Sequence, residues 1–129
     1  MSTIFTKIIN GEIPSYKVAE DDNFYAFLDI NPNAKGHTLV VPKLEENKLF
    51  DLPEKSYMEL MQFSRKVALA IEKAVPCKRV GMAVIGLEVP HVHVHLIPLN
   101  NMEDIQFVKK AKLESEEFIA LAKAISENI

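Results

Sequence analysis

The sequence predicts an α+β domain: an antiparallel sheet packed around one long helix, with a second helix at the C-terminal end. Three observations predict it. Short runs of β-branched and aromatic residues are separated by Gly, Pro, Asn and Asp. A single long run, from Asp51 to Val75, repeats its apolar residues at helical spacing. A shorter helical pattern follows from Ser115 onward. Strands and helices that segregate in this way favour α+β architecture.

The elements follow in order. Ile4, Phe5, Ile8 and Ile9 are spaced for a short helical turn that stops at Asn10-Gly11. Tyr16 to Ala19 reads as a strand, Asp21-Asp22-Asn23 as a hairpin turn, and Phe24 to Ile30 as a second, strongly apolar strand. Asn31-Pro32 ends it, because proline disfavours helical geometry in the residue before it and marks a turn. Gly36 precedes a third strand, His37 to Pro42. The long helix is expected to start at Asp51, three residues before Glu54 as in a capping box, with Pro53 in its first turn. Tyr57, Leu60, Met61, Ser64, Val67, Ala68, Ile71 and Val75 would face the sheet, and Pro76 would end the run. Arg79 to Ile85 and Val89 to Leu99 read as strands around a turn at Gly86-Leu87-Glu88. Ile105 and Phe107, alternating with Gln106, permit a short edge strand. Phe118, Leu121, Ala122 and Ile125 give the last helix its apolar face.

The chain has 129 residues, 48% of them apolar, which suits one domain spanning residues 1–129. Lys and Arg number 15 against 18 Asp and Glu, a net charge of -3 with no basic stripe. That argues against a nucleic-acid polymer as partner, although a pocket for one nucleotide needs only local donors. Cys77 is the one cysteine, so neither an internal disulfide nor a cysteine-rich metal site is expected. No stretch approaches the length of a membrane span, and residues 1–9 lack the pattern of a secretory signal. A cytoplasmic location without membrane contact is the resulting expectation.

Three of the four histidines lie in His91-Val92-His93-Val94-His95. On a strand, alternate side chains share a face, so the three imidazoles would point one way and Val92, Val94 and Leu96 the other. Same-face neighbours stand about 6.5–7 Å apart, a spacing that lets three rings meet one extended ligand. Histidine exchanges protons near neutral pH and can attack phosphorus directly, dividing one hard substitution into two easier ones. Attack through Nε2 needs the proton on Nδ1, and a nearby backbone carbonyl can fix that tautomer. Zinc is the rival reading, with His37 as an added ligand.

His91-Val92-His93-Val94-His95-Leu96-Ile97-Pro98 resembles the alternating motif of the histidine-triad (HIT) family of nucleotide hydrolases and transferases, in its nucleoside phosphoramidase-like branch. Phe27-Leu28-Asp29-Ile30-Asn31-Pro32, the run Gly36 to Lys43, and the opening Ile4 to Pro14 are similar to that family as well. The resemblance covers residues 4–98 and implies a HIT-like fold and a homodimer. It implies a nucleotidyl hydrolase or transferase that cleaves a phosphoramidate or adenylylated group at the α-phosphate through a covalent nucleotidyl-histidine. Purine nucleosides are the expected substrates, and no metal or other cofactor is implied.

By the same resemblance His93 is the nucleophile, and the His91 carbonyl holds its Nδ1 proton. His95 contacts phosphate and assists the leaving group. His37 supports the triad from behind, and the His91 side chain joins that network. Asp29 accepts from the ribose hydroxyls, and Phe27, Ile30, Leu28, Ile9, Phe5 and Ile8 line the base pocket. The chain departs from the family's pattern just before the triad, where the loop is short. Leu87 stands where Gln is usual, and Glu88 stands near the phosphate position. The alternative function these departures suggest is a HIT-fold protein that binds nucleotides without catalysis.

Overall fold

The computed structural model describes residues 2–129. A short helix, α1 (Ile4–Ile9), is capped by the Thr3 hydroxyl, which accepts from the Thr6 N–H. β1 (Lys17–Glu20) and β2 (Phe24–Leu28) form a hairpin. Asp21 shapes its turn by accepting from the N–H groups of Asn23 and Phe24. β3 (Thr38–Pro42), the long helix α2 (Glu54–Ala74), β4 (Arg79–Ala83), β5 (Val94–Leu99) and α3 (Ser115–Ser126) follow. The five strands make one antiparallel sheet in the order β1-β2-β3-β5-β4.

Strand alternation splits the apolar residues between two faces. Leu28, Val40, Val92, Val94 and Leu96 pack with Leu60, Val67 and Ile71 of α2 and with Phe118, Leu121 and Ile125 of α3. The other face holds a smaller group, Phe5, Tyr25, Phe27, Leu39 and Val41, with Ile8 and Ile9 against it. β2 and β3 are therefore buried on both faces, which explains why Phe24 to Leu28 is apolar without alternation. Gly36 enters β3 with φ at +103°, and a Cβ there would meet Val75 and Pro98 at 3.0 and 3.1 Å. Its small size lets α2's end close down on the strand that follows His37.

Several boundaries differ from those the sequence predicts: β2 ends at Leu28 rather than Ile30, and β3 begins at Thr38 rather than His37. Asp51 does not cap α2; it ends a 3₁₀ turn, Leu49–Asp51, and Pro53 occupies the N-cap. Proline holds Leu52 extended, with ψ at 143°, so the helix cannot begin before it. β4 stops at Ala83 rather than Ile85. The last strand starts at Val94 rather than Val89: Pro90 has no N–H to give, and the Val92 N–H donates to the Glu46 carbonyl instead of to a sheet partner. Residues 102–105 form a 3₁₀ turn, Met102–Ile105, in place of an edge strand, closed by Asn101 and Asp104 capping each other.

Candidate active site

All four histidines are buried, between 1 and 8% exposed. His95 lies within β5, while His91 and His93 precede its first ladder pair. The alternation survives beyond the ladder: Val92 and Val94 pack on the helix side, and the rings of His91 and His93 lie against Phe5 on the other. The His93 ring is 4.9 Å from both Phe5 and His95, centroid to centroid.

Hydrogen bonds to fixed groups set the proton on each ring. The His93 Nδ1 lies 2.9 Å from the His91 carbonyl, which can only accept. Nδ1 therefore carries the proton, and Nε2 of the neutral ring holds a free lone pair. His91 donates from Nε2 to the Pro42 carbonyl at 2.9 Å, leaving its Nδ1 to accept from the Thr3 hydroxyl at 2.7 Å.

On the other side the order runs through His37. The buried Asn33 N–H donates to His37 Nδ1 at 3.0 Å. His37 must then carry its proton on Nε2, which lies 3.0 Å from His95 Nδ1. That nitrogen accepts, so the proton of His95 sits on Nε2. One backbone amide thus fixes two rings in sequence. The result is a lone pair on His93 Nε2 beside a donor on His95 Nε2, the pairing that nucleophilic substitution with a hydrogen-bonded leaving group needs.

Burial is the main cause of the electrostatics. It pushes His37 down to about 3, with the charges of His95, Lys110 and His93 adding to the effect. It pushes His95 down to about 4, reinforced by His93 and Lys110, and lowers His91. These rings are neutral at physiological pH. Burial raises Asp29, whose Oδ2 is 3.6 Å from His37 Nε2 and whose Oδ1 accepts from the Asn31 N–H at 2.8 Å.

The pH dependence of stability follows. In the unfolded chain His37 and His95 take up protons near 6.5, whereas the folded rings do so only near 3 and 4. Their contribution to stability is complete above about 6.5 and is lost as the pH falls toward those folded values. Thermal denaturation followed across this range should show a melting temperature that falls steadily below about pH 6.5. A melting temperature that holds constant down to about pH 4 would mean the imidazoles are not buried neutral.

Asp29, His37 and His95 offer ligand atoms within 4.8 Å of one another. The tautomers make this set a poor metal site: the His37 lone pair is taken by Asn33, and Nε2 facing the others carries a proton. The two rings instead continue the proton order set by Asn33, with Asp29 3.6 Å from His37. The open groove of about 600 Å³ between α2 and α3, lined by Val75, Pro98 and Leu121 among others, contains none of the histidines.

The remaining predicted residues divide. Phe5 and Phe27 are buried with ring centroids 6.2 Å apart, and Ile8 and Ile9 pack beside them on the histidine side of the sheet. Leu28 departs from the expectation. One residue on from Phe27, it points to the opposite face and is buried in the helix-side core, away from any base pocket. Ile30 is 73% exposed beyond the end of β2, and Glu88 is exposed in the turn before the triad. The His91 side chain does not join His37. It belongs to a separate network in which Thr3 and Thr6 both bond to Glu45.

Sequence reasoning missed Thr3, Asn33, Phe107 and Lys110. Asn33 is 5% exposed and uses every polar group near it: its N–H orders His37, its Nδ2 donates to the Asp104 carbonyl, and its Oδ1 accepts from Lys110. The Phe107 ring lies 4.8 Å from His95 and 6.1 Å from His37. Only the Asn101/Asp104 capping pair was a readable local signal in that segment.

A family model described as the HIT domain matches residues 10–102. An uncharacterized HIT-like protein of Borreliella burgdorferi is 39% identical over 98% of this chain and 97% of its own length. An adenosine 5'-monophosphoramidase of Schizosaccharomyces pombe is 38% identical over 100% of this chain and 99% of its own. Among solved structures, a HIT-like protein involved in cell-cycle regulation from Bartonella henselae superposes with a TM-score of 0.84 at 32% identity, covering 99% of this chain and 97% of its own.

Proposed function

The chain belongs to the HIT domain family, and from that premise we propose that it is a nucleotidyl hydrolase or transferase acting on nucleoside phosphoramidates and adenylylated groups. The observation that carries the reading is the hydrogen-bond order of two rings: His93 turns Nδ1 to the His91 carbonyl, which leaves Nε2 as its attacking nitrogen, beside a donor on His95 Nε2. The similarity to an adenosine 5'-monophosphoramidase supports the substrate class.

For a phosphoramidate the steps balance as follows. The His93 Nε2 lone pair attacks the α-phosphorus and the P–N bond breaks. The leaving nitrogen takes its proton from solvent, while the His95 Nε2–H stays on its ring and donates a hydrogen bond to that nitrogen as charge develops there. The product is a nucleotidyl-His93, its positive charge shared onto the Nδ1–H that the His91 carbonyl holds. Water then attacks phosphorus and loses one proton to solvent as the bond to His93 breaks, which releases nucleoside monophosphate and free His93. The ordered tautomers suit both halves: one ring offers a lone pair to phosphorus and the other keeps a donor on the departing atom. Asp29 accepts from the ribose hydroxyls, and the apolar side of Phe5 and Phe27 receives the base, purines foremost. The mechanism calls on no metal and no cofactor.

A homodimer fits the sheet's edge: β4 is unpaired on one side, and Met82, Ile85, Leu87 and Val89 are exposed on or just beyond it. No helix among the described residues is long and apolar enough to cross a membrane, which supports the cytoplasmic reading.

The test is direct. Purified protein given a nucleoside phosphoramidate should release nucleoside monophosphate and free amine in equal amounts, unchanged by chelator. Tight nucleotide binding without release would favour the non-catalytic reading that Leu87 and Glu88 suggest.

A further inference from the structure

We infer that Lys110 is the cation that binds the substrate's phosphate charge, held over the histidines by a wall built from residues 101–111. The inference rests on the nucleotide reading above and adds to it a residue outside the triad and its expected partners.

The site needs such a group. His37 and His95 are ordered as neutral donors and acceptors, and the carboxylate of Asp29 adds negative charge. A phosphate diester or phosphoramidate brings one negative charge and gains more as the nucleophile arrives, so a positioned cation stabilises the transition state most.

Lys110 is placed for this. Its Nζ donates to Asn33 Oδ1 at 2.7 Å and lies 5.2 Å from the centre of the Phe107 ring, and that ring packs against His95 and His37. Its charge reaches Asp29, His37 and His95, each of whose protonation it biases. The acceptor it uses at rest is a neutral amide. Lys110 makes no ion pair among the described residues, whereas its neighbour Lys109 faces Glu103 at the surface. An ammonium held by an amide and an aromatic face keeps its whole charge for an incoming anion, and its four-carbon stem can swing to meet one.

The wall itself is over-determined. The Ala111 N–H donates to the Pro32 carbonyl at 2.8 Å, and the Asn33 side chain donates to the Asp104 carbonyl at 2.9 Å. Both bonds tie this segment to the loop between Asp29 and His37. Phe107 is held at φ 59°, a left-handed conformation that a bulky residue adopts only where its surroundings impose it. The strained turn sets the ring on His95 and brings Lys110 back over it.

The experiment compares AMP with adenosine as ligands of the wild type, Lys110→Gln and Lys110→Arg by calorimetry. Lys110→Gln should weaken AMP about 10-fold or more, the loss of one charged hydrogen bond. Adenosine affinity should stay within about twofold. Lys110→Arg should keep most of the AMP affinity, and rising salt should weaken AMP binding more in wild type than in Lys110→Gln. If Lys110 is only a clip on Asn33, AMP and adenosine will lose affinity equally or neither will change, and either result overturns the inference. Wild-type protein that binds neither ligand would overturn the nucleotide reading as well, so the two failures are told apart.

Discussion

Replacing His93 with Ala should lower nucleoside monophosphate release by about 10⁴-fold or more, because it removes the atom that forms the covalent bond. His95 and Lys110 would still bind and polarise the phosphate, but water would have to displace the amine in one step. The fold should survive, since the ring borders the site and lies outside the helix-side core. Nucleotide affinity should therefore fall little while turnover collapses. A steady-state assay beside a binding measurement on the same preparation checks this. Comparable turnover in the two proteins would remove His93 from the chemistry.

Replacing His37 with Leu should cost about 10²-fold in turnover although His37 touches no substrate, because the loss of one donor aimed at developing charge costs about that much. With the ring gone, nothing donates to His95 Nδ1. The proton of His95 can then move to Nδ1, leaving a lone pair where a donor is needed. The buried Asn33 N–H also loses its acceptor, a loss of about 1–3 kcal/mol in stability. Leaving groups separate the positioning role from a merely structural one. Substrates whose leaving group departs without a proton should be hydrolysed nearly as fast by the variant, while poor amine leaving groups should slow most. Equal slowing of both would assign His37 to packing alone.

The sheet, the two main helices and the face shared by the histidines were legible in the sequence because each rests on local periodicity. Val92, Val94 and Leu96 alternate with the histidines, and one long run repeats every three to four residues. Proline caused two of the boundary errors. Asp51 with Glu54 matches a capping box, but Pro53 between them stops the helix from reaching back. Pro90 removes the ladder bond that would extend the last strand to Val89. Leu28 was assigned to the base pocket with its neighbour Phe27, although a strand turns adjacent residues to opposite sides.

The ordering of the protons was only half legible. The His91 carbonyl is two residues from His93 and was expected from the motif. Asn33 reaches His37 across four residues, and Lys110 reaches Asn33 across 77. No spacing rule links such positions, because loops bring them together. The Thr3 hydroxyl on His91, from a position 88 residues away, is hidden for the same reason.

Rapid quenching of wild-type protein during turnover of a labelled phosphoramidate, followed by mass spectrometry of its peptides, tests the central claim most directly. The account predicts one nucleotidyl group on the peptide containing His93, carried on that ring and lost as monophosphate appears. Monophosphate formed with no adduct, or an adduct on another residue, would contradict it.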